Sequence, residues 1–131
     1  RKETEIQTYQ TALKEYMKSR EKNLGNLIAF TDFNKQQLDG YSKDIINMDN
    51  IDTRWLGFNW HVQRINGHDF NAIDDAVQAA KAVTDRPSMI ICDTVKSYGY
   101  APGVGIKANH SMAVSAEDEQ YSVSLLSGGA K

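Results

Sequence analysis

The chain has 131 residues, 40% of them hydrophobic and 24% charged, with a formal net charge of −2. This suits one domain with a modest core, and mild acidity without a basic block argues against a nucleic-acid binder. The single cysteine, Cys92, rules out an internal disulfide and sits in an apolar run, as a buried small hydrophobe would. No apolar stretch has the length that crosses a bilayer, so a cytoplasmic protein without a signal peptide or membrane contact is the expectation.

In chain order, Ile6, Tyr9, Leu13, Tyr16, Met17 and Leu24 recur at spacings of three and four, predicting a helix over residues 3–24 that stops at Gly25. Leu27 to Thr31 is a nearly continuous apolar strand of the kind buried on both faces. Residues 32–48 read as a long loop, and long loops in compact domains carry function. Its opening places Asp32 and Asn34 at a strand's carboxyl end, where oxygen side chains suit a hard cation. The same residues also suit a plain polar turn, and Asp39-Gly40 closes the segment as one.

A short helix is predicted over Ile51 to Phe58, closed by Asn59 in a left-handed conformation. Trp60 to Ile65 alternates as a strand, and Asn66-Gly67 signals a turn. Asp69 then caps a helix with Asp74 and Asp75 near its positive end and Phe70, Ile73, Ala76, Val77 and Ala80 as its buried stripe. Pro87 breaks that pattern, and Ser88 to Cys92 is the third strand. A second long loop, 96–110, carries Gly99, Gly103 and Gly105. Ser115 to Asp118 resembles a capping box opening a last helix through Leu126.

Strand, helix, strand, helix, strand is the order of an α/β domain, a three-layer, doubly wound, mostly parallel sheet. Both long loops then leave carboxyl ends of strands on one edge of the sheet.

Several stretches together resemble the N-terminal, thiamine-diphosphate-binding section of transketolase: Asn26-Leu27-Ile28 through Asp32-Phe33-Asn34-Lys35, Leu38-Asp39-Gly40, Arg54-Trp55, and Phe58 to Val62. Gly67-His68-Asp69, Lys81-Ala82 to Arg86-Pro87, Asp93 to Lys96 with Gly99, Asn109-His110-Ser111 and Glu117 to Glu119 continue it. The likeness covers about residues 23–126. It implies part of a thiamine-diphosphate-binding fold, with thiamine diphosphate held through Mg²⁺ or Ca²⁺. Asn34 matches a side-chain metal ligand and Gln36 a position that supplies a backbone carbonyl. The resemblance also implies cofactor binding by Gly99 and His110, and a catalytic contact of His110 with the sugar's reacting end. Asp32 is expected to fix the loop, and His61 and His68 to be structural. Lys96 and Lys107 are candidates for phosphate contact, against the plainer reading of solvated surface lysines.

The resemblance implies two-carbon ketol transfer between sugar phosphates in carbohydrate metabolism, as in the pentose phosphate pathway. The activating glutamate of that family lies in a pyrimidine-binding domain, so a C-terminal section or partner chain is expected, in a dimer or heterotetramer.

The family's Gly-Asp-Gly is missing from the chain, and Glu3-Thr4-Glu5-Ile6 stands in the corresponding region. Residues 1–131 are therefore expected to form a single, truncated thiamine-diphosphate-binding domain with a divergent helix over 1–24. The alternative is a non-catalytic transketolase-like subunit or pseudoenzyme that has lost cofactor binding. Related thiamine-diphosphate enzymes, such as deoxyxylulose-phosphate synthase or a pyruvate dehydrogenase component, are a third reading, and Gly67-His68-Asp69 favours transketolase over them.

Overall fold

The structure, a computed structural model, describes Thr11, residues 24–107 and residues 109–129. The helix expected over residues 3–24 lies almost wholly outside them.

Three parallel strands form the sheet. They are β1 (Ile28–Phe33), β4 (His61–Asn66) and β5 (Ser88–Asp93), in the order β1-β5-β4. Chain order and sheet order differ because β5 inserts between the two earlier strands. Crossing outward from β1 to β4 and then back to β5 places successive crossovers on opposite faces when both have the same hand.

The side chains confirm the two faces. Met89 and Ile91 of β5 join Phe33 and Ile51 on one side, where Trp55, Trp60 and Val62 pack. Ile90 faces the other way, onto Ala76 and Ala80, with Ile28, Ile65, Val77 and Cys92 around it. The first layer is built by α2 (Ile51–Gly57) and the second by α3 (Phe70–Ala82). Alanines on the inner stripe of α3 let its backbone approach the sheet closely. The three-layer reading holds, with β5 as the strand buried on both faces.

β1 does not fill that role. It is an edge strand of the described sheet, and Phe30 is 54% exposed. A continuous apolar run cannot distinguish a central strand from an edge strand whose outer face is apolar. Cys92 is half-buried rather than buried. Burial first, then the carboxylates of Asp32 and Asp93, push its thiol above the ordinary thiol range.

Several local signals are borne out. Asn59 has φ 64° and ends α2. The Asp69 Oδ1 accepts from the backbone N–H of Asn71 at 2.9 Å and of Ala72 at 3.2 Å, capping α3. Ser115 accepts from the Asp118 N–H at 3.1 Å while its hydroxyl donates to the Asp118 carboxylate at 2.7 Å. That box opens α4 (Ala116–Ser124), which passes into a π turn over Leu125–Gly129 instead of running on as one helix.

Other expectations need correction. Phe70 is 87% exposed. It is the first residue of α3, and at that exposure it packs into neither core. Asp74 and Asp75 lie beyond the first turn of α3, and Asp74 accepts instead from Gln78 Nε2 at 3.2 Å.

The segment 32–48 is not an irregular loop. It folds as a hairpin of β2 (Gln36–Gln37) and β3 (Gly40–Tyr41), followed by the one-turn helix α1 (Ser42–Ile45). Its strands are two residues long, too short for an alternation to be read. Gly40, at φ 149°, begins the return strand in a conformation that favours glycine. The second loop contains two 3₁₀ turns, Ala101–Gly103 and Asn109–Ser111. No described helix is long and apolar enough to cross a membrane.

At the carboxyl edge of the sheet, the Arg64 guanidinium grips Asp93 with two bonds, 2.7 and 2.9 Å. It also stacks over the Phe33 ring at 4.9 Å. The grip joins β4 to β5 and holds the Asp93 carboxyl below the usual carboxylate range, with Lys35 adding to the effect. Both side chains are about one-third exposed, so solvent screening limits the pair to about 1 kcal/mol.

Two outcomes follow for stability. Ile90→Ala, in the fully buried centre, should cost about 2–5 kcal/mol in urea unfolding. Asp93→Asn should cost up to about 1 kcal/mol at neutral pH. Because the folded carboxyl is depressed, the wild-type advantage is present above the ordinary carboxylate range. It should fade as pH falls through that range and below, bringing the two urea midpoints together.

Candidate functional site

The parallel register sets the three strand ends level. Phe33 and Asn66 both pair with Asp93, so Asn34, Gly67 and Thr94 leave the sheet side by side. At the β1 exit, Asp32 sits between two donors. The Thr94 hydroxyl donates to its Oδ1, and Asn34 Nδ2 donates to its Oδ2 at 3.2 Å. Asp32 thus ties the β1 exit to the β5 exit, the loop-fixing role expected of it.

Asn34 turns its Oδ1 onto the backbone N–H of Gln36 at 2.9 Å. The chain achieves this by placing Lys35 in the left-handed region, φ 63°. A non-glycine residue there is uncommon, and the two side-chain bonds of Asn34 and the hairpin that starts at Gln36 over-determine it. Lys35 Nζ then lies 3.5 Å from Asp93.

The two long segments meet above this edge. The Tyr41 hydroxyl donates to the Gly105 carbonyl at 3.1 Å, and Gln36 Nε2 reaches the Ile106 carbonyl at 3.5 Å. Lys107 lies over the Tyr41 ring at 5.2 Å. Between the segments opens a cavity of about 410 Å³, lined among others by Asn34, Gln36, Thr94 and Val95. Lys35, Lys43 and Lys96 also line it, against one carboxylate, Asp49. Such a wall draws anions.

Gly99 and His110 stand apart from this cavity. Gly99, at φ 86°, borders a second cavity of about 350 Å³ with Tyr100 and Ser122. His110 is exposed on the 3₁₀ turn Asn109–Ser111. Its neighbour Asn109 is buried and staples the loop, donating to the Gly103 carbonyl at 2.8 Å and to Ser97 Oγ at 3.1 Å. The sequence reading missed Thr94 as the partner of Asp32. The available signal was register: Thr94 follows the third strand by the same step that separates Asn34 from the first.

The oxygens present agree with a hard cation in kind but not in number. Asn34 Oδ1 keeps a lone pair after accepting from Gln36, and Gln36 Oε1 is buried without a hydrogen-bond partner. Such an orphaned acceptor is costly unless a donor or cation meets it. A cation such as Mg²⁺ takes about six oxygens. Among the described residues no cluster of three or more His, Cys, Asp or Glu side chains stands ready to supply the rest.

Comparison with known proteins identifies the family and the fold. The family described as transketolase, thiamine diphosphate binding domain, matches residues 14–125. A 6-deoxy-6-sulfo-D-fructose transketolase subunit of Clostridium sp. (strain MSTE9) is 42% identical over 96 residues, covering 73% of this chain and 35% of the relative. Transketolase 1 of Escherichia coli (strain K12) is 40% identical over 88 residues, 66% of this chain and 13% of the relative. The chain thus spans about a third or less of these relatives.

Among solved structures, a Pichia stipitis transketolase variant in complex with fructose 6-phosphate superposes with a TM-score of 0.73 at 29% identity. That superposition covers 86% of this chain and 17% of the other. The transketolase of Campylobacter jejuni gives 0.68 at 25% identity over 81% of this chain and 16% of that one. A family match over residues 14–125, carried on a parallel sheet with the expected strand-end loops, places this chain in the transketolase family, in its thiamine-diphosphate-binding domain.

Proposed function

We propose that this chain is the N-terminal section of a transketolase that moves a two-carbon ketol unit between sugar phosphates in the cytoplasm, together with a partner bearing the pyrimidine-binding domain. The observation that supports this reading best is the pairing of Asn34 with Gln36 at the level strand ends, beside a lysine-lined cavity. Thiamine diphosphate, when bound, supplies the nucleophilic carbon that such a transfer needs.

The residues of this chain would do the holding. Asn34 offers its side-chain oxygen and Gln36 its backbone carbonyl to Mg²⁺ or Ca²⁺, neutral donors that leave the cation's charge for a diphosphate. The remaining ligands of such a cation would have to come from outside the described residues. Asp32 stays with Thr94 and Asn34 and keeps the β1 exit rigid. Lys96 and its neighbouring lysines favour the anion electrostatically. Gly99, at φ 86°, lets the loop after β5 turn sharply, and a cofactor contact from it would need the ligand to extend beyond the Asn34 cavity. His110, on an exposed turn, can donate a ring N–H to an oxygen of the sugar or accept a proton from it.

A split assembly of two chains, as a dimer or heterotetramer, suits a site completed by a partner; the Clostridium relative is itself named a subunit. The missing Gly-Asp-Gly keeps the pseudoenzyme reading as the competitor, but the two relatives described above are named transketolases, which favours the enzyme.

Calorimetry decides between them. Thiamine diphosphate with Mg²⁺, titrated into the chain mixed with a pyrimidine-binding partner section, should bind, and Asn34→Ala should weaken binding by roughly 10- to 100-fold. Absence of heat from the wild-type mixture would overturn the enzyme reading.

A further inference from the structure

We propose that His68 is a positioning residue for the exit loop of β5. It holds Val95 through an unprotonated ring nitrogen, so that protonating this imidazole loosens the ligand site. The inference rests on the functional reading above for the identity of the ligand, but not for the loop itself.

The geometry begins with the turn after β4. The Gly67 N–H donates to the Asp93 carbonyl at 2.8 Å, and the His68 N–H donates to Asn66 Oδ1 at 3.0 Å. A side chain on Gly67 would lie 2.8 Å from Cys92 Cβ, so this turn presses directly on β5. The imidazole is therefore delivered to the exit loop of β5 by a backbone with little freedom.

There the Val95 N–H donates to His68 Nε2 at 2.8 Å. An N–H can donate only to a ring nitrogen with a lone pair, so Nε2 is bare and the proton of the neutral ring is on Nδ1. The ring face stacks on Tyr98, with centroids 3.8 Å apart and planes 17° from parallel. His68 thus grips the exit loop at two points. Val95 lies between Thr94 and Lys96, and all three line the cavity that Asn34 and Gln36 open onto. Thr94 in turn donates to Asp32. Moving Val95 moves the group that locks Asp32 and hence the β1 exit.

Protonation makes Nε2 a donor facing another donor. Stacking on Tyr98 tolerates a charged ring; the bond to Val95 does not survive it. The charged side chains nearest in the chain to these contacts are Arg64, Asp69, Asp93 and Lys96. Arg64 and Asp93 are paired with each other, and the Asp69 carboxylate caps α3. None of these is hydrogen-bonded to the ring, and Tyr98 is the titratable group in contact with it.

Two substitutions separate the effects. Gln at this position offers an oxygen near the place of Nε2 and does not titrate, whereas Phe keeps the stack but has no acceptor. Thiamine diphosphate with Mg²⁺ is titrated into the chain and its partner section at about pH 8 and about pH 5.5. Amide exchange at Val95 is followed without ligand at the same two pH values, corrected for the intrinsic rate. The wild type should lose affinity at the lower pH by roughly tenfold more than His68→Gln, a ratio that cancels titration of the ligand. His68→Phe should be weak at both. Val95 should stay protected in His68→Gln at both pH values, and in the wild type only at the higher one.

Parallel affinity profiles for the wild type and His68→Gln, or a Val95 amide equally protected at both pH values in the wild type, would overturn the proposal. Wild type that binds no thiamine diphosphate at either pH defeats the functional reading instead, and the exchange result then decides the role of His68 alone.

Discussion

β5 shares its backbone hydrogen bonds with β1 on one side and β4 on the other, and buries alternate side chains in opposite cores. This parallel register is the constraint on which the site depends. Because Ser88 pairs with both Ile28 and His61, all three strands end at one level. A slip of one residue would turn every β5 side chain to the wrong core. The same slip would carry Thr94 away from Asp32. Core packing and site geometry are therefore one problem, solved once.

At that level edge the chain trades regularity for local hydrogen bonds. Asp32, Asn34 and Gln36 form a short relay in which Asp32 accepts from Thr94 and Asn34, and Asn34 accepts from the Gln36 N–H, while Gln36 Oε1 is left without a partner. The strained backbone at Lys35 is what aims it. Across the edge, Arg64 and Asp93 keep a carboxylate next to the site ionised and neutralised. The net character of the cavity wall is therefore set by its lysines rather than by Asp93. An electropositive wall with neutral oxygen donors suits a ligand that brings its own negative charge and shares a cation with the protein.

Some of this was legible from residue types alone. Asn59 in a left-handed position, the Asp69 cap and the Ser115 box depend on a few neighbouring residues, and local signals of that reach read correctly. The placement of Asp32 and Asn34 at a strand end was also readable, because an apolar run followed by turn residues marks such an end in most contexts. Phe70 misled, because periodicity reports the face of a helix but not whether its first residue meets a packing partner. The hairpin at residues 36–41 was hidden, since pairs of two residues leave no pattern to read.

The amino-acid order by itself determined the alternation of strands and helices, their caps and turns, and the residues that leave the first strand. Those depend on interactions within a few positions. Tertiary structure alone decided that the last strand lies in the middle, that Thr94 closes on Asp32, and that His68 meets Val95 across the turn. Each of those contacts joins residues 27 to 62 positions apart. Such pairings follow from which strands share hydrogen bonds and at what register, a choice made by packing two cores at once and carried by no short segment of the chain.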